Sequence, residues 1–130
     1  MVNVTFRVPA RQQELLVMLE ALVQLNRLQL RRSRGLPGLY RSGVRYKREE
    51  RDPRTGLRKE NWRTIAEVLE ARGGDCEDLA AYEVAEAREK GINARPWLKR
   101  VSPRMFHVMV RYPDGRLVDP SKRLGMRGSA

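Results

Sequence analysis

The sequence predicts a single α+β domain in which helices pack on a small antiparallel sheet. Three observations carry that expectation. Apolar residues recur at three- and four-residue spacing in the first half of the chain and again after the only cysteine. Near the C-terminal end, two strand-like segments flank a Pro-Asp-Gly turn. The length of 130 residues, with 41% hydrophobic content, supports one core but not two, so residues 1–130 form one domain.

Taken in order, residues 3–8 alternate enough for a short edge strand, and Pro9 stops it where a helix can start. The spacing of Leu15, Leu16, Met18, Leu19, Leu22, Val23 and Leu25 predicts a long helix over 10–31, with Arg11, Glu14, Glu20 and Arg27 off the stripe. A Ser-Arg-Gly-Leu-Pro-Gly breaker follows, then a short strand around Val44 and Tyr46, then a polar loop at 51–56. Asn61 offers a cap for a second helix bearing Trp62, Ile65, Ala66, Val68 and Leu69. Gly73 and Gly74 end it, because glycine enters the left-handed C′ conformation without penalty.

Asp75 then caps a third helix, with Asp78 three residues on to complete a capping box. This helix runs to Lys90, with Gly91 as its C′ residue, and Ala80, Ala81, Ala85 and Ala87 give it a side small enough to lie close against a neighbour. Residues 92–100 are extended, and Pro96 places that segment near a sheet edge. In 105–112, Met105, His107, Met109 and Arg111 share one face and Phe106, Val108, Val110 and Tyr112 the other. Pro113, Asp114 and Gly115 suit a three-residue hairpin loop, which sets Val118 opposite Val110 and Asp119 opposite Met109. In that register Asp119 shares a face with His107 and lies diagonal to it.

Three residues now carry candidate chemistry. Cys76 opens the third helix, where unpaired N–H groups and the positive helix end favour a thiolate. A thiol nucleophile needs an imidazole to take its proton, and the imidazole needs a carboxylate to hold its tautomer. His107, the only histidine, and Asp119 supply those types. Singly they have plainer readings: a small buried hydrophobe, a satisfied strand histidine and a turn residue before Pro120. In combination they predict a nucleophile, a base and its orienter. The Cys76 backbone N–H is the natural oxyanion donor, and Trp62 or Tyr46 is a candidate for the second. One cysteine and one histidine fall short of the four ligands of a structural zinc site.

The block Gly73-Gly74-Asp75-Cys76-Glu77-Asp78-Leu79-Ala80, then His107-Val108-Met109-Val110, then Asp114-Gly115 with Asp119-Pro120-Ser121, resembles the transglutaminase-like cysteine protease superfamily. The resemblance spans residues 61–126, and Trp62 also fits small bacterial and phage members. It implies a papain-like α+β core in which the cysteine-bearing helix packs on an antiparallel sheet. The additional long N-terminal helix and the basic loop region of 1–60 would precede that core. It further implies Cys76 as nucleophile, His107 as base and Asp119 as orienter. Some bacterial members hold calcium with acids flanking the cysteine, and Asp75 and Glu77 match those positions; the same acids also suit helix capping. The negative charge of Asp75, Glu77 and Asp78 opposes formation of a thiolate unless something neutralises it.

The function expected is hydrolysis of an amide, in a peptide or isopeptide, through a Cys-His-Asp triad with no required cofactor. The alternative is a phage or bacterial structural or assembly protein that keeps the core as a scaffold. Net charge is +11, and residues 27–63 hold thirteen Arg or Lys against four acids. That stretch could contact nucleic acid or an acidic partner, although only Tyr40 and Tyr46 interleave with it as stacking aromatics. A lone cysteine fits a reducing compartment, and neither an apolar signal region nor an eighteen-residue apolar run occurs, so a cytoplasmic protein without a membrane partner is expected, or one in the virion if phage-encoded.

Overall fold

The computed structural model describes residues 2, 4, 5, 9, 11–48, 54, 61–103 and 105–127. The element order is α1 (Gln12–Arg32), a 3-10 turn (Leu39–Arg41), β1 (Arg45–Tyr46), α2 (Ile65–Ala71), β2 (Gly73–Gly74) and α3 (Cys76–Glu89). Then come β3 (Arg95–Ser102), β4 (Met105–Arg111), β5 (Leu117–Val118) and α4 (Pro120–Arg123). Among the described residues the fold is α+β: a three-stranded antiparallel sheet of order β3-β4-β5, a two-stranded parallel pair β1-β2, and four helices. The expected strand at 3–8 rests on residues 3, 6, 7 and 8, which lie outside the described residues. Among the described residues no helix is long and apolar enough to cross a membrane.

α3 is the central element, buried along most of its length. One apolar cluster joins its Cys76, Ala80, Ala81, Val84 and Ala85 to Leu19, Leu22 and Val23 of α1 and to Val108 and Val110 of β4. A second cluster, on its other side, joins Leu79 and Tyr82 to Leu39, Val44, Ile65, Val68 and Leu124. The alanines are what let α1 and the sheet approach α3, and each large aliphatic side chain in these clusters contributes roughly 1.5–3 kcal/mol by leaving water. Ion pairs clamp the same interface: Arg88 grips both Glu20 oxygens at 2.7 Å, and Arg27 and Arg31 both reach Glu89 at 2.7 Å. Two arginines of the basic 27–63 stretch are thus engaged in holding α1 to α3.

The expected stripe on α1 needs correcting at Leu25, which is 52% exposed, whereas Asn26 is fully buried. Asn26 sits among apolar residues because its Oδ1 accepts the Ile65 N–H at 2.9 Å, and Gln29 Oε1 likewise takes the Ala66 N–H at 2.9 Å. Side chains of α1 therefore satisfy donors at the start of α2. α2 itself begins at Ile65, capped by Thr64 in a box with Glu67, so Asn61 is not its cap and Trp62 precedes the helix.

The glycine pair also plays a different part from the one expected. The left-handed residue that ends α2 is Arg72, at φ 57°. Gly73 and Gly74 form β2, paired with Arg45 and Tyr46. They are glycines for lack of room: a Cβ on Gly73 would stand 2.8 Å from the Arg45 carbonyl oxygen, and one on Gly74 would stand 2.8 Å from Asp78 Cβ.

Candidate active site

Cys76 is the first residue of α3, delivered there by β2 and by a reciprocal capping box. Asp75 Oδ1 accepts the Cys76 N–H at 2.7 Å, and Asp78 Oδ2 accepts the Asp75 N–H at 3.0 Å. Asp78 Oδ1 also accepts the Arg63 N–H at 2.7 Å, which ties the segment carrying Trp62 to the start of α3. The box overturns one expectation: the Cys76 N–H points at the Asp75 carboxylate, so it is not a free oxyanion donor. A capping aspartate is a charged acceptor one residue away, and it takes this donor ahead of any neutral ligand.

The sulfur is 9% exposed with its residue and donates to Glu77 Oε2 at 3.2 Å. The Val108 backbone also hydrogen-bonds it. Burial first, then the charges of Glu77 and Asp75, push the thiol well above its ordinary pKa, with the Val108 contact acting in the opposite direction. The expectation that the helix end makes Cys76 a thiolate is thereby corrected for this arrangement. The half-charge of a helix terminus is outweighed by desolvation and two adjacent carboxylates, and the resting thiol holds its proton.

His107 and Asp119 meet as the hairpin register requires. Val110 pairs with Val118, Tyr112 N–H reaches the Arg116 carbonyl at 2.9 Å, and Gly115 at φ 89° closes the three-residue loop. His107 Nε2 lies 2.8 Å from Asp119 Oδ2. His107 is 5% exposed, and Asp119 is further fixed as the N-cap of α4, accepting the Lys122 N–H. With Nε2 occupied, Nδ1 is the ring nitrogen left for a reacting proton. Among the described residues, the side-chain hydrogen-bond partner of the Cys76 thiol is Glu77 and not His107. Val108, next to His107 on β4, brings that strand to the sulfur.

Of the two candidate second donors, Tyr46 is tied to the residue before Cys76. Tyr46 donates to Asp75, and burial, then the nearby charge of Asp75, push its phenol up to about 12. A phenol held protonated in this way is a hydrogen-bond donor throughout the neutral range. Trp62 packs against the cluster that contains Cys76.

Asp75, Cys76 and Glu77 place one ligand atom each within 4.8 Å of one another. Calcium takes about six to eight oxygen ligands. Two carboxylates and a soft sulfur, with Asp75 already accepting the Cys76 N–H and the Tyr46 hydroxyl, do not suit it.

The tyrosine pair on Glu83 was not legible in sequence. Glu83, in the middle of α3 and 6% exposed, accepts the Tyr40 hydroxyl on Oε1 and the Tyr112 hydroxyl on Oε2, the latter at 2.6 Å. Its partners stand 43 and 29 residues away, so no local spacing announces them.

Compared with protein-family models, with curated proteins and with solved structures, the chain finds no significant match in any of the three.

Proposed function

We propose that this chain is a cysteine amide hydrolase of transglutaminase-like type, acting on a peptide or isopeptide bond from a papain-like core. The observation that carries the reading is the His107–Asp119 contact, 2.8 Å long and largely shielded from water, on the strand whose next residue, Val108, touches the Cys76 sulfur. A histidine oriented by a carboxylate beside a lone cysteine is the arrangement that thiol catalysis requires.

In the proposed reaction the Cys76 sulfur attacks the amide carbonyl carbon while its proton passes to His107 Nδ1. Asp119 stabilises the resulting imidazolium through Nε2. The Tyr46 hydroxyl, released from Asp75 as the substrate binds, serves as the donor to the carbonyl oxygen as it gains charge. Collapse expels the amine, protonated by His107, and leaves a thioester. Water attacks the thioester, gives its proton to His107, and releases the carboxylic acid with the thiol restored. Because the resting thiol is protonated, His107 acts here as a general base on attack and not as the partner of a standing ion pair.

The test is the rate at which iodoacetamide alkylates Cys76 at pH 7 in the wild type and in His107→Ala. General-base assistance is worth on the order of a hundredfold, and a loss of that size in the variant supports the reading. Slow, equal rates would overturn it. They would support the second reading, a phage or bacterial assembly protein with a silent core, which is favoured by the one observation that the thiol bonds Glu77. That reading also expects nucleic acid or an acidic partner on the basic 27–63 stretch, with an affinity that falls steeply with salt.

A further inference from the structure

On the side of α3 that carries Glu83, a cleft of about 190 Å³ opens between the C-terminal half of the helix, the β4–β5 turn and α4. Its floor is the Tyr40–Glu83–Tyr112 arrangement already described. Each tyrosine ring carries a guanidinium: Arg123 Cζ lies 4.5 Å from the Tyr40 centroid and Arg116 Cζ lies 4.8 Å from the Tyr112 centroid. Both arginines line the cleft, together with Lys90, and the apolar wall is Ile92 and Val118.

We infer that this cleft binds a small phosphomonoester, its phosphate held between Arg116 and Arg123 and its organic group against Ile92 and Val118. Three features of the geometry support the assignment. First, none of the cations is held in a salt bridge: among the described residues Arg116, Arg123 and Lys90 form none, whereas Arg27, Arg31 and Arg88 all do, and Arg123 is hydrogen-bonded only to the Tyr40 hydroxyl. Secondly, the carboxylates of the cleft are occupied. Both Glu83 oxygens accept phenol hydrogens, and Glu86 Oε1 accepts the Leu39 N–H at 2.8 Å. The phenols therefore stand between Glu83 and the guanidiniums; Arg123 gives one N–H to the Tyr40 hydroxyl, and its remaining edge donors and those of Arg116 are left to an incoming anion.

The third feature is preorganisation. A guanidinium stacked on an aromatic ring keeps its edge donors free while losing much of its rotational freedom, so less entropy is lost when a phosphate arrives. The cleft is separate from the Cys76 site in its residues, and the inference does not depend on thiol chemistry.

Calorimetric titration with phenyl phosphate and, separately, inorganic phosphate tests it at constant ionic strength. Saturable binding of phenyl phosphate is expected, tighter than that of inorganic phosphate because of the apolar wall. Arg116→Gln and Arg123→Gln should each weaken it by about tenfold. Arg95→Gln, the same charge change on an exposed residue of β3, should leave it unaltered. As a readout independent of the variants, the methyl resonances of Ile92 and Val118 should shift on titration of the wild type. Non-saturable binding, an equal loss in Arg95→Gln, tighter binding of inorganic phosphate, or unmoved Ile92 and Val118 methyls would overturn the assignment.

Discussion

Replacing Glu77 by glutamine isolates the most unfavourable feature of the candidate nucleophile. The Glu77 carboxylate accepts the thiol proton at 3.2 Å, and both residues are nine-tenths buried or more. Two unit charges about 4 Å apart repel by roughly 4 kcal/mol at an effective dielectric of about 20. Each pKa unit corresponds to about 1.4 kcal/mol, so removing the carboxylate charge should lower the thiol pKa by about three units. The thiolate population at pH 7 then rises about a thousandfold. A less basic thiolate is also a weaker nucleophile, and with a Brønsted coefficient of about 0.5 the net gain is about thirtyfold. The assay is iodoacetamide alkylation followed by intact mass across pH 6–10, read for wild type and Glu77→Gln. Faster alkylation in the variant makes Glu77 a brake on Cys76. Slower alkylation would refute this electrostatic reasoning and would make Glu77, which already accepts the thiol's hydrogen bond, the working base in place of His107.

Other consequences follow from the same coordinates. Asp78 is pushed up to about 7, chiefly by burial and against the pull of the Arg63 and Asp75 N–H groups, from an ordinary value of 3.8. A carboxyl raised in the folded state stabilises the fold fully below pH 3.8 and loses that contribution as pH rises toward 7, with a slope of at most about 1.4 kcal/mol per unit. Denaturant titrations of Asp78→Asn should lack this component, so the variant gains on the wild type from pH 4 to 7; parallel curves would contradict it. Asp119→Ala should lose both about 1 kcal/mol of α4 capping, seen in the thermal midpoint, and His107-dependent alkylation. Asp119→Asn retains a capping oxygen and should lose only the second, as side-by-side melts and alkylation rates would reveal. Gly74→Ala should destabilise by about 1–3 kcal/mol, because its Cβ would stand 2.8 Å from Asp78 Cβ, and a denaturation midpoint equal to the wild type would refute that clash.

What could be read in the sequence was what is local. The Asp75–Asp78 box spans three residues, and the Tyr112–Arg116 loop contains its own proline and glycine, so each could be placed from spacing and turn chemistry. From that loop alone the strand register followed, and with it the approach of Asp119 to His107. The errors arose where a distant partner decides. Asn26 is buried because α2 needs an acceptor 39 residues away, and an apolar stripe gives no sign of that demand. The glycine pair reads as a helix stop because its strand partner, Arg45 and Tyr46, lies far back in the chain, where no local spacing announces it. Leu25 fits the stripe on spacing alone, yet its side chain is half exposed.

The acids around Cys76 show why local legibility does not extend to reactivity. Asp75 and Asp78 are needed to start α3, and the same carboxylates that cap the helix neutralise the benefit its N-terminus would give a thiolate. Folding and nucleophilicity therefore compete for the same few donors. Tyr46 lies between the two demands: its hydroxyl is held by Asp75, beside the sulfur. Should a substrate carbonyl draw that hydroxyl away, Asp75 would lose a donor just as His107 removes the thiol proton. The cost of that exchange is lowest if Asp75 keeps the Cys76 N–H. Under the proposed reaction the cap would have to survive the reaction, and the hydrogen bonds to the substrate would come from groups other than the Cys76 amide, which Asp75 holds.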